Sequence, residues 1–248
     1  MSDFEAALIL FVVGTVAAFI NVNAGGGSSL TLPTLIFLGL DSALANGTNR
    51  VAILFQNASA VYAFKREKFY ELKNSMLLSL LSLPGAILGA VLAVTISDEL
   101  FRKLLAIIMI GIIITILIPG KKQNQFNEHI TINWKVIIAM TGIGFYGGFI
   151  QVGVGFMMMA ALQKLMKLDL IRVNMHKVFV VFIFTVPAFL VFLFTDNINW
   201  FYGLTLSAGN AFGGWWGARL SVKKGEKLIK AVLIVAILIM SLELLNVY

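Results

Sequence analysis

Long apolar runs, interrupted at a few charged, glycine or proline positions, make up most of the chain. Ten such segments stand out: residues 5–22, 28–40, 43–64, 74–95, 100–118, 132–150, 155–168, 170–194, 201–221 and 228–246. A helix that crosses a bilayer needs about 17–25 apolar residues. Segments 28–40 and 155–168 fall short of that, so they are expected to be half-helices. Between the first two runs lies INVNAGGGSSLTLP, in which Gly25, Gly26 and Gly27 sit among Asn21, Asn23, Ser28 and Ser29.

The pattern occurs twice. Sliding residues 14–117 forward by 128 positions without a gap gives 18 identities in 104 positions. The glycine and polar matches carry the weight in a chain so rich in Leu and Ile. Gly14 falls on Gly142, Gly25 on Gly153, Gly27 on Gly155, Asp41 on Asp169, Asn46 on Asn174, Gly85 on Gly213 and Gly89 on Gly217. One register holding across all of these predicts a duplication, with repeat 1 over 1–120 and repeat 2 over 129–248 of a single membrane domain.

Composition narrows the class. Of 248 residues, 59% are hydrophobic and 12% charged, against roughly 45–50% and about 25% in soluble domains, so an integral membrane protein is expected. The absence of cysteine removes disulfides, thiolate metal sites and cysteine nucleophiles. Two histidines, His129 and His176, are too few for a metal cage, and no cofactor is expected. The N-terminus carries Asp3 and Glu5 but no Lys or Arg, so it lacks the basic start of a secretory signal and reads as a first helix. A net charge of +7 could point to nucleic acid, yet no basic run alternates with aromatics in a polar domain. Retention of basic residues in cytoplasmic loops explains it better.

Charge placement then orders the halves. If regions 5–40 and 132–168 each begin and end on one side, the loops near 65–73, 119–135, 164–177 and 219–230 share a face and hold 4, 3, 4 and 5 Lys/Arg, leaving Arg50, Arg102 and Lys103 elsewhere. The basic face should be cytoplasmic. This predicts an all-α fold of 8 to 10 helical segments in two inverted, pseudo-symmetric repeats, each with a broken or re-entrant short helix plus three to four crossings, and both termini outside. Re-entrant hairpins and full crossings stay open for 5–40 and 132–168. With no targeting segment in view, the expected location is a prokaryotic plasma membrane.

Inverted repeats with interrupted helices are the architecture of secondary transporters, whose site lies near the midplane between repeats. Glycine at 25, 26 and 27 allows close approach of backbone N–H groups, and the half-helix opening at Ser28 directs its positive end at the break, a setting for a small oxyanion. Asn23, Ser28 and Ser29 could add donors. Gln151, Gly153 and Gly155 are the second-half counterparts. In GAILGAVLA (85–93) and GGWWGARLS (213–221) the glycines are expected to serve helix packing instead. Arg50 falls about 12 Å into the helix starting near residue 42, and His176 with Lys177 falls opposite Thr48 and Asn49. Intramembrane charges are functional candidates, so Arg50 and Lys177, one or both, are expected to face an anion pathway, with Gln56 and Asn57 as polar liners and His176 as a packing or proton-carrying residue. Snorkelling, or pairing with Asp41 and Asp169, is the structural alternative.

At these residues the chain resembles the sulfite exporter TauE/SafE family, also called toluene sulfonate uptake permeases. GGGSSLTLPTLIFLGLDSALANGTN carries the likeness: a glycine cluster, Pro33 in the following helix, and Ala45 to Asn49 as an A-x-G-T-N stretch. The resemblance spans essentially the whole chain and implies transport of sulfur oxyanions such as sulfite, thiosulfate or sulfonates, with Gly25, Gly26, Gly27, Asn49 and Arg50 as the first-half site. The second half departs from the pattern. QVGVGFMMMAAL lacks a proline at Ala161, and His176 and Lys177 replace the Thr-Asn pair, so this half is expected to shape selectivity.

The expected function is therefore a secondary transporter, an exporter in direction, for a small sulfur oxyanion, with the bilayer and a coupling proton or ion as further partners. Two other classes compete. A permease for a divalent cation or another non-sulfur solute would use Asp41 and Asp169, and an intramembrane hydrolase would use Ser28 or Ser29 with His176 as base.

Overall fold

The computed structural model describes residues 2–117 and 131–245; His129 lies outside them. Among these residues there are nine helices and no strand: α1 (Asp3–Asn23), α2 (Ser28–Phe37), α3 (Ser42–Arg66), α4 (Leu72–Thr95), α5 (Asp98–Leu117), α6 (Trp134–Phe149), α7 (Val154–Met166), α8 (Leu170–Phe194) and α9 (Trp200–Leu245). The chain is an all-α membrane protein: α1, α4 and α8 are each long and apolar enough to cross a bilayer, whereas α2 and α7 are short apolar helices. The segments expected at 201–221 and 228–246 are two helical stretches of α9 that meet in a kink at Gly225, where φ of +66° and ψ of −160° leave the helical region.

Local chemistry sets the helix starts. Ser2 and Glu5 close a capping box on α1, Asp41 accepts from Leu44 N–H to start α3, Asn133 accepts from Val136 N–H to start α6, and Asp169 accepts from Ile171 and Arg172 N–H to start α8. Each satisfies N–H groups that have no intrahelical partner. Asp41 and Asp169 are thereby caps rather than partners of Arg50 or Lys177.

Packing is close because small residues face one another. A Cβ on Gly85 or Gly89 would overlap the carbonyls of Thr141 and Phe145 on α6, and one on Gly144 or Gly148 those of Ser82 and Ala86 on α4. Gly209 and Gly213 of α9 meet Phe11 and Thr15 of α1 in the same way. Lipid tails give no hydrophobic drive between helices, so such backbone approach is what binds them. Large apolar side chains such as Phe4, Leu8, Leu80 and Leu88 point outward.

α3 reverses the soluble pattern, burying Asn46, Thr48, Asn49, Arg50, Gln56 and Asn57 between α8 and α9. Helix limits follow the register of the sequence repeat: α8 starts and ends where that register carries the limits of α3, and α9 starts where it carries the start of α4. The contacts are exchanged as well, α1 packing on α9 as α6 packs on α4, and α3 on α9 as α8 on α4.

Candidate functional site

Two helix breaks meet at the centre of the molecule. The first, Ala24 to Gly27, joins α1 to α2, with Gly25 at φ +96°. The second, Ile150 to Gly153, joins α6 to α7, with Gln151 at φ +67° and Gly153 at φ +73°. Their backbones touch. A Cβ on Gly25 would overlap the backbone of Gly155, and a Cβ on Gly155 that of Gly25. Gly26 lies under the ring of Phe156, and Gly27 against the Ala17 carbonyl. The glycine cluster thus brings the two breaks into contact and leaves little free backbone inside its own loop.

The two buried cations close these breaks from across the molecule. Lys177 of α8 donates to the carbonyls of Asn21 (3.0 Å) and Val22 (2.8 Å) at the end of α1, and to Asn174 Oδ1 (2.8 Å). Arg50 of α3 donates to the carbonyls of Gly147 (2.8 Å) and Gly148 (2.5 Å) at the end of α6, and to Asn46 Oδ1 (3.4 Å). Its guanidinium also lies 5.2 Å from the Phe192 ring centre. Asn46 donates to the carbonyl of Phe149 and Asn174 to that of Asn23, the last residues of α6 and α1. The last carbonyls of a helix have no intrahelical partner and carry about half a negative charge. A cation and an amide from the opposite half satisfy them at both breaks.

Beside the contact lies a cavity with room for about one water molecule. Asn21, Ser28, Gln56, Asn57, Gln151 and Lys177 give it its polar wall, with Gly155 beside them. α2 and α7 both begin here, at Ser28 and Val154, so two positive helix ends face the cavity. Gln151 reaches Thr185 through Nε2 at 3.4 Å, while its buried Oε1 has no hydrogen-bond partner.

Of the residues expected from sequence, Ser28, Gln56, Asn57, Gln151, Gly155 and Lys177 converge on this cavity, with Gly25 packed against Gly155. Arg50 does not line it. Asn49 accepts from the Thr31 hydroxyl at 2.8 Å, and Asn23 donates to Phe19 and Gly217 carbonyls. Gly153 precedes α7 in the left-handed region. His176 faces away from the cavity, its Nδ1 2.8 Å from Ser75 Oγ. Sequence reasoning did not assign roles to Asn21, Asn46 or Asn174. The repeat register, which lays Asn46 on Asn174, was the available signal for the last two.

This centre lies within a match to a single family model. Residues 10–244 match the model described as sulfite exporter TauE/SafE. The chain belongs to that family. Among its relatives is the "Probable membrane transporter protein ORF9" of Sinorhizobium sp, 30% identical over 243 residues (98% of this chain and 93% of the relative). A "Probable membrane transporter protein" of Haemophilus influenzae is 28% identical over 237 residues (95% and 93%), and the "Probable membrane transporter protein YfcA" of Escherichia coli (strain K12) is 28% identical over 238 residues (96% and 88%). No solved structure matches the chain. The TauE/SafE member described here is a membrane transporter rather than an enzyme.

Proposed function

We propose that this TauE/SafE member is a secondary transporter that exports a small sulfur-containing oxyanion, such as sulfite or an organosulfonate, by alternating access at the cavity between its two inverted repeats. The observation that supports it is the charge of the centre. Arg50 and Lys177 are buried at 0% and 2% exposure, and none of the ion pairs among the described residues includes either of them. Carbonyls and two partial negative helix ends offset only part of two full charges. The surplus is positive, and it lies beside two helix N-termini. An anion is the solute that such a centre stabilises.

The inverted arrangement, with basic loops and so the cytoplasm on one face and both termini outside a plasma membrane, rests on the lysine and arginine count and is consistent with the exchanged helix contacts. As it stands the cavity has room for about one water molecule, so binding an oxyanion requires it to widen. Lys177, Gln151, Gln56 and Ser28 would hold the anion, while Arg50 keeps the second break in shape. A divalent-cation reading finds no support: Asp41 and Asp169 are occupied as caps, and no cluster of metal-ligating side chains occurs among the described residues.

Thermal unfolding of the detergent-purified protein with sulfite, thiosulfate, sulfoacetate, sulfate, Na⁺ or Ni²⁺ tests the proposal. A ligand that prefers the folded state at a hundred times its Kd adds about 2.7 kcal/mol. We expect stabilisation by a sulfur oxyanion, weakened in Gln151→Leu. Stabilisation by a cation alone would overturn it.

A further inference from the structure

Away from the cavity, α4 and α8 enclose a second polar group. The His176 ring is fully buried, with Nδ1 2.8 Å from Ser75 Oγ. Its Nε2 is buried without a hydrogen-bond partner and points to Glu71 Oε2 at 3.6 Å. Glu71 also meets Arg172 Nε at 3.4 Å and accepts from Asn74 at 3.0 Å, and Arg172 lies 3.7 Å from Asp169. Glu71 and Arg172 are about one-third exposed, with side chains at 29% and 31%, so water reaches one edge of the group. Val61, Phe64 and Tyr70 complete the groove beside Glu71 and Ser75, while Lys177, next in the chain, sends its ammonium to α1.

Glu71 and Asp169 both face the Arg172 guanidinium, and Glu226 of α9 accepts from Leu170 N–H at 3.4 Å beside Asp169. A proton on His176, arriving from water past the exposed edge of Glu71, adds a positive charge directly opposite the Glu71 carboxylate. Nε2–H then meets the Glu71 carboxylate, and Nδ1–H donates to the Ser75 hydroxyl. The equivalent place in the other half keeps the carboxylates Asp41 and Asp98, the counterparts of Asp169 and Glu226, but has no titratable side chain where His176 and Glu71 stand. In the repeat register, Thr48, Asn199 and Gly203 are the counterparts of His176, Glu71 and Ser75. There the Thr48 hydroxyl accepts from the Asn199 N–H at 2.9 Å, and Gly203 offers no side chain.

We propose that His176, together with Glu71, is a proton-binding site whose occupation tightens the contact between α4 and α8, while the matching contact at Thr48 does not respond to pH. A transporter built this way answers pH at one of its two ends. Proton binding and helix contact can both be measured without substrate, so failure here and failure of the oxyanion reading are separable.

In His129→Gln, His176 is the single histidine. With ¹⁵N-labelled histidine in detergent, its ring signals should show one reversible titration within the pH range over which the protein stays folded. Glu71→Gln should lower the midpoint by about half a unit or more, because it removes the facing negative charge. The chain has no cysteine, so Val61→Cys gives a single reporter in the groove. Its maleimide labelling should be slower than in the same reporter carrying His176→Gln below the midpoint, and equal above it. A ring that never titrates, a midpoint indifferent to Glu71→Gln, or labelling ratios that do not change with pH would each overturn the proposal. The first result needs no variant inside the group, so loss of folding cannot mask it.

Discussion

Gly25 and Gly39 form a matched pair for testing whether the two helix breaks are truly packed together. Both have left-handed backbone, at φ +96° and +94°, but a Cβ on Gly39 meets nothing within 4 Å, whereas one on Gly25 falls into the backbone of Gly155. Alanine at either position carries the cost of an L-residue at positive φ, about 1–2 kcal/mol. At Gly25 the added methyl must also push two backbones apart, and such overpacking typically costs a further ~1–3 kcal/mol. Gly39→Ala should therefore lose about 1–2 kcal/mol and Gly25→Ala about 2–5 kcal/mol. Gly155→Ala, where no positive φ is involved, should fall between them through overlap alone. Reversible unfolding of the three variants in mixed micelles, monitored by circular dichroism, measures the differences. If Gly25→Ala loses no more stability than Gly39→Ala, the comparison fails and the breaks are not in contact. Solute flux should follow the same order, since the cavity wall rests on this contact.

Arg50→Met leaves the Gly147 and Gly148 carbonyls without their partner, at about 1–3 kcal/mol each, partly offset by removing a buried charge. Net destabilisation with correct membrane insertion is expected in a thermal assay, and a fully stable variant would show that Arg50 is not needed to close α6. Lys177→Met should both destabilise the protein and abolish anion-dependent stabilisation, because Lys177 alone of the two cations lines the cavity; retained ligand response in a folded variant would remove it from the site. Asp98→Ala should cost about 1 kcal/mol by freeing the Ser42 N–H that Asp98 accepts at 2.6 Å, and Asp98→Asn should recover most of it. An equal loss in both variants, read in the same unfolding experiment, would show that this cap is not the cause.

Helix positions were legible because hydrophobic runs and capping residues act locally: Asp41 and Asp169 announce α3 and α8, and 170–194 is read to the residue. The short runs at 28–40 and 155–168 likewise emerge as α2 and α7. The break at Gly225 was legible as the gap between segments 201–221 and 228–246, marked by charges at 223, 224, 226 and 227, and it takes a single residue at positive φ rather than a longer loop. Site legibility was uneven for a physical reason. Their depth within apolar runs marks Arg50 and Lys177 as buried, but the partners that decide their roles are backbone carbonyls about 97 and 155 residues away, and carbonyls leave no mark in a sequence. Gly25 to Gly27 were read as room for a ligand, whereas the room is taken by Gly155 and Phe156. That contact runs between halves and has no local signature.

The crossed closure of the helix breaks has a consequence for biosynthesis. The end of α1 is completed by Lys177, 155 residues later in the chain. At about 5–20 residues per second, its last carbonyls wait roughly 8–30 s after synthesis for their partner. During that interval the nascent first half sits in the bilayer with an open helix end, and only water drawn to that depth, or an insertion factor, can satisfy it. A chain ending before α8 thus keeps an open helix end that lipid cannot satisfy.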